Sequence, residues 1–159
     1  MTYRDFEESD YSDLREMMFC LYEEDPEGEP ITDEKIRKTI AESKARPEKV
    51  RLVMICEDGE DGEDGRNAGY CILVYFWSNE YGGDSVVIDE LYIKEKYRNR
   101  GIGSDFIKRQ LADNERAVSL QIESTPSNSA AARLYERLGF EPSPNNHLIL
   151  FNPSAGSQA

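Results

Sequence analysis

The sequence predicts a mixed α/β (α+β) fold in one domain, and three observations predict it. Runs of β-branched and aromatic residues alternate with segments whose apolar residues recur every three or four positions, so strands and helices are interleaved along the chain. At 159 residues the chain is the size of one domain, able to bury roughly two-thirds of its unfolded surface around a single core. Its 38% hydrophobic and 32% charged content is that of a soluble globular protein rather than a disordered one. The domain is expected over residues 1–151, with 152–159 as a flexible tail.

The first strand is expected near Tyr3 to Phe6, after which Leu14, Met17, Met18 and Leu21 share one face of a helix. The run "EEDPEGEP" stops that helix. Thr32 then offers its hydroxyl as an N-cap, Asp33 and Glu34 complement the helix dipole, and Ile36 and Ile40 stack one turn apart, so a second helix should reach about Lys44. "VRLVMICED" and "AGYCILVYFWS" read as strands on either side of "GEDGEDGRN", a polar hairpin loop expected to be disordered, and the second is long enough to be central. "NEYGGD" turns the chain into "SVVIDELYIK", a third central strand that carries two acids where a buried strand should be apolar. A helix from about Gly101 to Asn114 follows, with Ile102, Phe106, Ile107 and Leu111 as its apolar members, and then the strand "AVSLQIES". In "NSAAARLYERLGF", Ala131, Leu134, Tyr135 and Leu138 form one helical stripe that Gly139 ends at the C′ position. A last strand is expected over about Leu148 to Phe151, and no internal repeat is present.

Composition narrows the function classes. A net charge of −13 argues against nucleic acid or an anionic membrane as the main partner, because both need basic surfaces; the excess, much of it in acidic loops, serves simple solubility or would favour a cationic substrate. No run approaches the roughly 18 apolar residues of a membrane span, and Met1 to Asp10 has neither a basic start nor an apolar core, so a cytosolic location is expected. Cys20, Cys56 and Cys71 lie in apolar surroundings without a C-x-x-C pair, which suggests buried thiols rather than a disulfide or zinc site. His147 stands alone after a loop-like run and builds no metal site.

The stretch "YRNRGIGSDFIKRQL" places Gly101 and Gly103 between a strand and a helix, where the first N–H groups of the helix lack internal partners and attract anions. Two familiar phosphate loops fail here. Ser104 and Asp105 follow Gly103 where the Walker form needs Lys and Ser or Thr, and Phe106 stands where the dinucleotide form needs a third glycine. What remains is R-x-x-G-x-G at Arg98, Gly101 and Gly103, on a basic island of Lys94, Lys96, Arg98 and Arg100. Either an anion site or a plain helix cap with solvated arginines accounts for that pattern alone.

Taken with its neighbours, the pattern resembles the GCN5-related N-acetyltransferase (GNAT) superfamily. "VIDELYIKEKYRNRGIGS" is similar to that family's central strand, loop and pyrophosphate turn, and "NSAAARLYERLGF" to its later helix, with Asn128, Tyr135 and the Gly139-Phe140 pair in place. The resemblance implies a mixed, mostly antiparallel central sheet of about six or seven strands flanked by about four helices, the GNAT acyl-CoA N-acyltransferase fold. It implies acetyl-CoA as co-substrate, with no metal. The backbone of Leu91, Tyr92 and Ile93 would pair with the pantetheine arm; N–H groups of Arg98, Asn99, Arg100, Gly101, Ile102, Gly103 and Ser104 would hold the pyrophosphate; Asn128 would bond the pantetheine; and Tyr135 would sit beside the thioester sulfur. The family's central strand usually bulges here, which the letters do not reveal.

The implied activity is transfer of an acetyl group to a primary amine of a small cationic molecule or a protein, by direct attack in a ternary complex. An alkylamine with pKa near about 10.4 is mostly protonated at neutral pH, so a base or water relay must take its proton, and Asp89 and Glu90 are the candidates. Neighbouring strand residues face opposite sides, so only one of the two is expected in a given cleft, with position favouring Glu90. Tyr135 is the candidate acid for the departing thiolate, although it also fits an ordinary core tyrosine. Glu24, Asp25, Trp77, Glu80 and Tyr81 are the candidate acceptor-binding rim, since rings and carboxylates attract ammonium groups, although ordinary solvated loop residues account for them equally. The rival expectation is a non-catalytic acyl-CoA-binding or regulatory module on the same fold, and the sequence leaves open whether the domain acts alone or as a homodimer.

Overall fold

The structure, a computed structural model, describes residues 1–26, 29–59, 66–125, 127–145 and 147–152. Five segments with strand-favouring residues pair into one sheet: β1 (Thr2–Asp5), β2 (Val50–Cys56), β3 (Asn67–Ser78), β4 (Gly83–Ile93) and β5 (Ala117–Ile122), in that spatial order. The first four run antiparallel and β5 lies parallel to β4. The return from β4 to a parallel β5 is made by α3 (Ile102–Asp113). α1 (Tyr11–Glu24) and α2 (Asp33–Ala45) follow β1, and α4 (Ser129–Arg137) follows β5. The mixed, mostly antiparallel sheet and the four helices agree with expectation, and so do the Thr32 cap, whose hydroxyl accepts from the Lys35 N–H at 3.2 Å, and the left-handed Gly139 (φ 88°) after α4.

Period-two alternation sorts the core into two layers. Leu52, Met54, Tyr70 and Ile72 pack with Leu14, Met17, Met18, Ile36 and Ile40 from α1 and α2 on one face. Val53, Ile55, Cys71 and Leu73 pack with Ile102, Phe106 and Ile107 from α3, and with the partly buried Leu134, Tyr135 and Leu138 of α4, on the other. Cys56 and Cys71 are buried, and Cys20 is half-buried.

Two expectations fail. Residues 147–152 form no strand, and Leu148, Ile149, Leu150 and Phe151 are exposed, so the sheet has five strands among the described residues instead of six or seven. Apolar, β-favouring composition alone does not make a strand, and these residues pair with neither edge strand, β1 or β5. Leu111 is exposed as well, because the buried stripe of α3 runs through Ile102, Phe106, Ile107 and Gln110 and leaves Leu111 on its rim. The centre of the "GEDGEDGRN" loop and residues 153–159 of the expected tail lie outside the described residues.

Candidate active site

The site begins with an irregularity in β4. Opposite β3, Glu90 pairs with Ile72 and Ile88 pairs with Leu73, so Asp89 is an extra residue with no cross-strand partner. Such a bulge reverses the parity of everything after it. Val86 and Ile88 face α3, whereas Tyr92, again an even position, faces α1 and α2. The bulge therefore carries Glu90 onto the face of Tyr22 and Tyr70, and it overturns the expectation that only one of the two acids reaches a given cleft: both Asp89 and Glu90 line the same cavities. Alternation holds only where the ladder is regular, and here it is broken between the two residues in question.

The ladder between β4 and β5 ends at the same place. Its last pair is Ile88 with Ile122; beyond it Asp89 to Ile93 has no partner on β5, and the two strands part. A cavity of about 490 Å³ opens there, walled by Asp89, Glu90 and Leu91 on one side and by Thr125, Asn128 and Tyr135 on the other. A second cavity of about 530 Å³ lies toward α1 and α2 and shares Tyr22, Lys35, Asp89 and Glu90 with the first. Past Ile93 the chain makes a turn through Arg98, Asn99 and Arg100 to Gly101, which caps α3. Asn99 (φ 60°) and Gly101 (φ 80°) are both left-handed, and the N–H groups of Ile102, Gly103 and Ser104 open the helix with no intrahelical acceptor, an arrangement suited to an anion. A Cβ on Gly103 would meet Leu134 at 3.7 Å, an ordinary contact, so internal packing does not require glycine there. Arg98 stands apart from this group. Its N–H donates to the Glu95 carbonyl, its Nε donates to the Ile93 carbonyl at 2.7 Å, and its Nη2 reaches both oxygens of Glu24 at 2.8 Å.

The carboxylates and phenols are electrostatically tuned. Glu90 accepts from Tyr22 Oη at 2.8 Å through Oε1 and from Tyr70 Oη at 2.7 Å through Oε2. Burial pushes its pKa up, the two phenols oppose this, Asp89 adds repulsion, and the net direction is upward. Asp89 opens onto the cleft, yet the surrounding walls and then the nearby Glu123 raise its pKa too. Burial raises the pKa of Tyr22 and of Tyr70, and Glu90 reinforces both shifts. Tyr135 is half-buried, its ring set edge-on to Phe140 at 5.7 Å, and burial pushes its hydroxyl up to about 12. That hydroxyl has no hydrogen-bond partner among the described residues.

Of the expected residues, the structure gathers Asp89, Glu90, Leu91, Asn128, Tyr135 and Asp25 around the first cavity. Asn128 also caps α4, its Oδ1 accepting from the Ala131 N–H at 3.1 Å. Asp25 accepts from Thr125 at 2.9 Å and so ties the end of α1 to the loop before α4. Glu24 is drawn away from the rim into the ion pair with Arg98. Trp77, Glu80 and Tyr81 line neither cavity: Trp77 pairs with Asp84, five residues before Asp89, which is about 16 Å along a strand. Trp77 near the end of β3 and Glu80 and Tyr81 in the turn after it all lie at the amino end of β4, away from the bulge. Sequence reasoning missed Tyr22 and Lys35. Tyr22 follows Leu21 of the apolar stripe with nothing to mark it, and its partner Glu90 is 68 residues away. Among the described residues no cluster of His, Cys, Asp or Glu could hold a metal ion, and no helix is long and apolar enough to cross a membrane.

Comparisons with known proteins agree with this geometry. Residues 50–142, more than half of the chain, match the family described as "Acetyltransferase (GNAT) domain". A thialysine N-epsilon-acetyltransferase from Bos taurus is 32% identical over 69 residues, a segment covering 42% of this chain and 41% of that relative. Among solved structures, a protein from Clostridium difficile 630 superimposes with a TM-score of 0.76 at 18% identity, covering 95% of this chain and 97% of its own. An acetyltransferase from Trypanosoma brucei does so with 0.67 at 18%, covering 94% and 99%. These structures share the fold, and the family match extends from β2 through the bulge, the glycine turn and α4. The chain belongs to the GNAT acetyltransferase family.

Proposed function

We propose that the protein transfers the acetyl group of acetyl-CoA to a primary amine of a small cationic acceptor, by direct attack while both are bound. The observation that carries this reading is the coincidence of the bulge at Asp89 with the parting of β4 and β5, which brings two carboxylates of raised pKa and a free phenol to one cavity. Acetyl-CoA, the usual co-substrate of the family, fits the residues present. The unpaired edge of Leu91 and Tyr92 offers strand-like backbone bonds to the pantetheine, and Asn128 keeps its amide N–H group for it, since its oxygen caps α4. Asn99 to Ser104 offer N–H groups to the pyrophosphate, while Arg98 props the turn through Glu24 and Ile93. When bound, acetyl-CoA supplies an activated acyl group; the remaining work belongs to the side chains.

Glu90, with Asp89 beside it, is assigned the proton of the incoming ammonium. A carboxylate whose pKa is raised toward neutrality is a better base than an ordinary one. Tyr135 stays protonated at neutral pH and is assigned a hydrogen bond to the sulfur as it leaves, a role its place on the cavity wall supports. With the phenol near 12 and a thiol near about 8.5, complete proton transfer would be uphill by roughly 5 kcal/mol, so Tyr135 acts by hydrogen bonding rather than by ionising. The acceptor side is acidic: among the described residues, Asp25, Glu29, Asp89, Glu90 and Glu123 face the first cavity against Lys35 as the one cation. That balance suits a cationic amine, and the name of the Bos taurus relative gives an N-epsilon amine as that protein's acceptor.

Calorimetric titration tests the cofactor half. Acetyl-CoA should bind saturably, and Gly101→Glu, which places a carboxylate against the pyrophosphate turn, should abolish binding. A panel of primary amines assayed with wild type and Tyr135→Phe tests the chemistry: turnover of at least one amine, reduced about 10²-fold in the variant, is expected. A folded protein that binds no acetyl-CoA would overturn the reading.

A further inference from the structure

Glu90 is enclosed in a way that a simple base is not. Each of its oxygens already accepts a phenolic proton, one from Tyr70 of β3, which is fully buried, and one from Tyr22 of α1, which is half-buried at the seam of the two cavities. The two phenols are therefore unequal. Tyr70 lines neither cavity and can only hold the carboxylate, whereas Tyr22 lines both and donates at 2.8 Å to Oε1 from the side an acceptor would enter.

We propose that Tyr22 is the proton relay of the site, taking the proton of the acceptor ammonium on its oxygen while passing its own phenolic proton to Oε1 of Glu90. This rests on the acetyl-transfer reading above. Two protons each move across one hydrogen bond: an N–H bond breaks as an O–H bond forms on Tyr22, and the former Tyr22 O–H breaks as one forms on Glu90. Tyr22 ends as it began, the ammonium becomes a neutral amine, and the carboxylate becomes a carboxylic acid. Neither a phenolate nor a phenol cation is needed at any stage, which matters because burial and Glu90 both disfavour an ionised Tyr22. The ionisable groups around Glu90 are Tyr22 from α1, Lys35, Lys38 and Glu42 from α2 across the second cavity, Tyr70 from β3 and Asp89 from β4 itself, while Cys71 lies on the opposite face of the sheet. Among these, Tyr22 both touches the carboxylate and meets the cavities.

The test compares pH profiles of kcat and kcat/KM, with solvent isotope effects, for wild type, Tyr22→Phe and Tyr70→Phe, using whichever primary amine of the panel wild type acetylates. Each substitution removes a hydrogen bond that lowers the pKa of Glu90, so the acidic limb should move to higher pH in both variants. The relay predicts a further effect confined to Tyr22→Phe: the plateau kcat falls about 10- to 100-fold, the KM for acetyl-CoA is unchanged, and the solvent isotope effect changes as a two-proton transfer becomes another path. A Tyr22→Phe plateau within about twofold of wild type, with only the limb displaced as in Tyr70→Phe, would overturn the relay and leave acetyl transfer standing. If wild type acetylates no amine of the panel, the transfer reading fails first and the relay falls with it.

Discussion

At the scale of single residues, Glu90 sets function against stability. Burial keeps its carboxyl protonated to a higher pH in the folded chain than in the unfolded chain, where the pKa is about 4.3. Between these two values the folded state holds more protons, so the contribution of Glu90 to stability is fully present below the unfolded pKa and is lost as pH rises through the folded value. Glu90→Gln removes this titration while keeping a group that can bond Tyr22 and Tyr70. The variant should therefore melt at or above the wild-type temperature near about pH 8, with the advantage closing as pH falls toward about 4. Turnover should drop at least about 10²-fold. Scanning calorimetry across that range is the check, and a variant much less stable than wild type at pH 8 would mean that the charged carboxylate holds Tyr22 and Tyr70 in place. The residues legible in the sequence were those whose type and motif carry their chemistry: Asp89, Glu90, Asn128 and Tyr135 all reach one cavity. Tyr22 was illegible because only the fold brings it to Glu90.

At the scale of elements, one side chain can serve a helix and a ligand at once. Asn128 presents Oδ1 to the first turn of α4 and stands on the cavity wall. Its two ends can be separated by substitution. Asn128→Asp keeps an acceptor at the N-cap and adds a charge that the helix dipole favours, but it removes the amide N–H group and places a negative charge beside the proposed pantetheine path. Melting temperature should hold or rise while acetyl-CoA affinity falls about tenfold or more. Asn128→Ala should lose both, with about 1 kcal/mol of stability going with the cap. Thermal melts beside calorimetric titrations separate the two variants, and unchanged affinity in Asn128→Asp would remove this residue from the cofactor path. The same scale shows what local pattern hides. "VIDELYI" reads as one continuous central strand, and only pairing against β3 reveals that Asp89 is supernumerary. "LILF" reads as a strand, but in the structure it pairs with neither edge of the sheet and stays coil. Helix caps, by contrast, were readable at Thr32 and Gly139 because their causes lie within a few residues.

At the scale of the whole molecule, topology places the cleft. β4 and β5 are the parallel pair of an otherwise antiparallel sheet, and the cavity opens where their pairing ends, at the carboxyl end of β5, as open α/β sheets generally bind ligands at the carboxyl ends of strands. The charge of the chain bears on the same place. A net −13 could be nothing more than a solubility device spread over acidic loops, or it could act as a field that draws a cationic acceptor toward Asp25, Glu29, Asp89 and Glu123. Salt distinguishes these, because screening shortens from about 30 Å at 0.01 M to about 3 Å at 1 M and suppresses steering while leaving bonded contacts largely intact. If the field acts, kcat/KM for a doubly charged diamine should fall several-fold across that range, more steeply than for a monoamine of equal length, with kcat nearly constant. The comparison of the two amines is the decisive part, since a general effect of salt on the enzyme would move both alike. Equal slopes would assign the acidic surface to solubility and leave acceptor choice to the shape of the two cavities that meet at Tyr22.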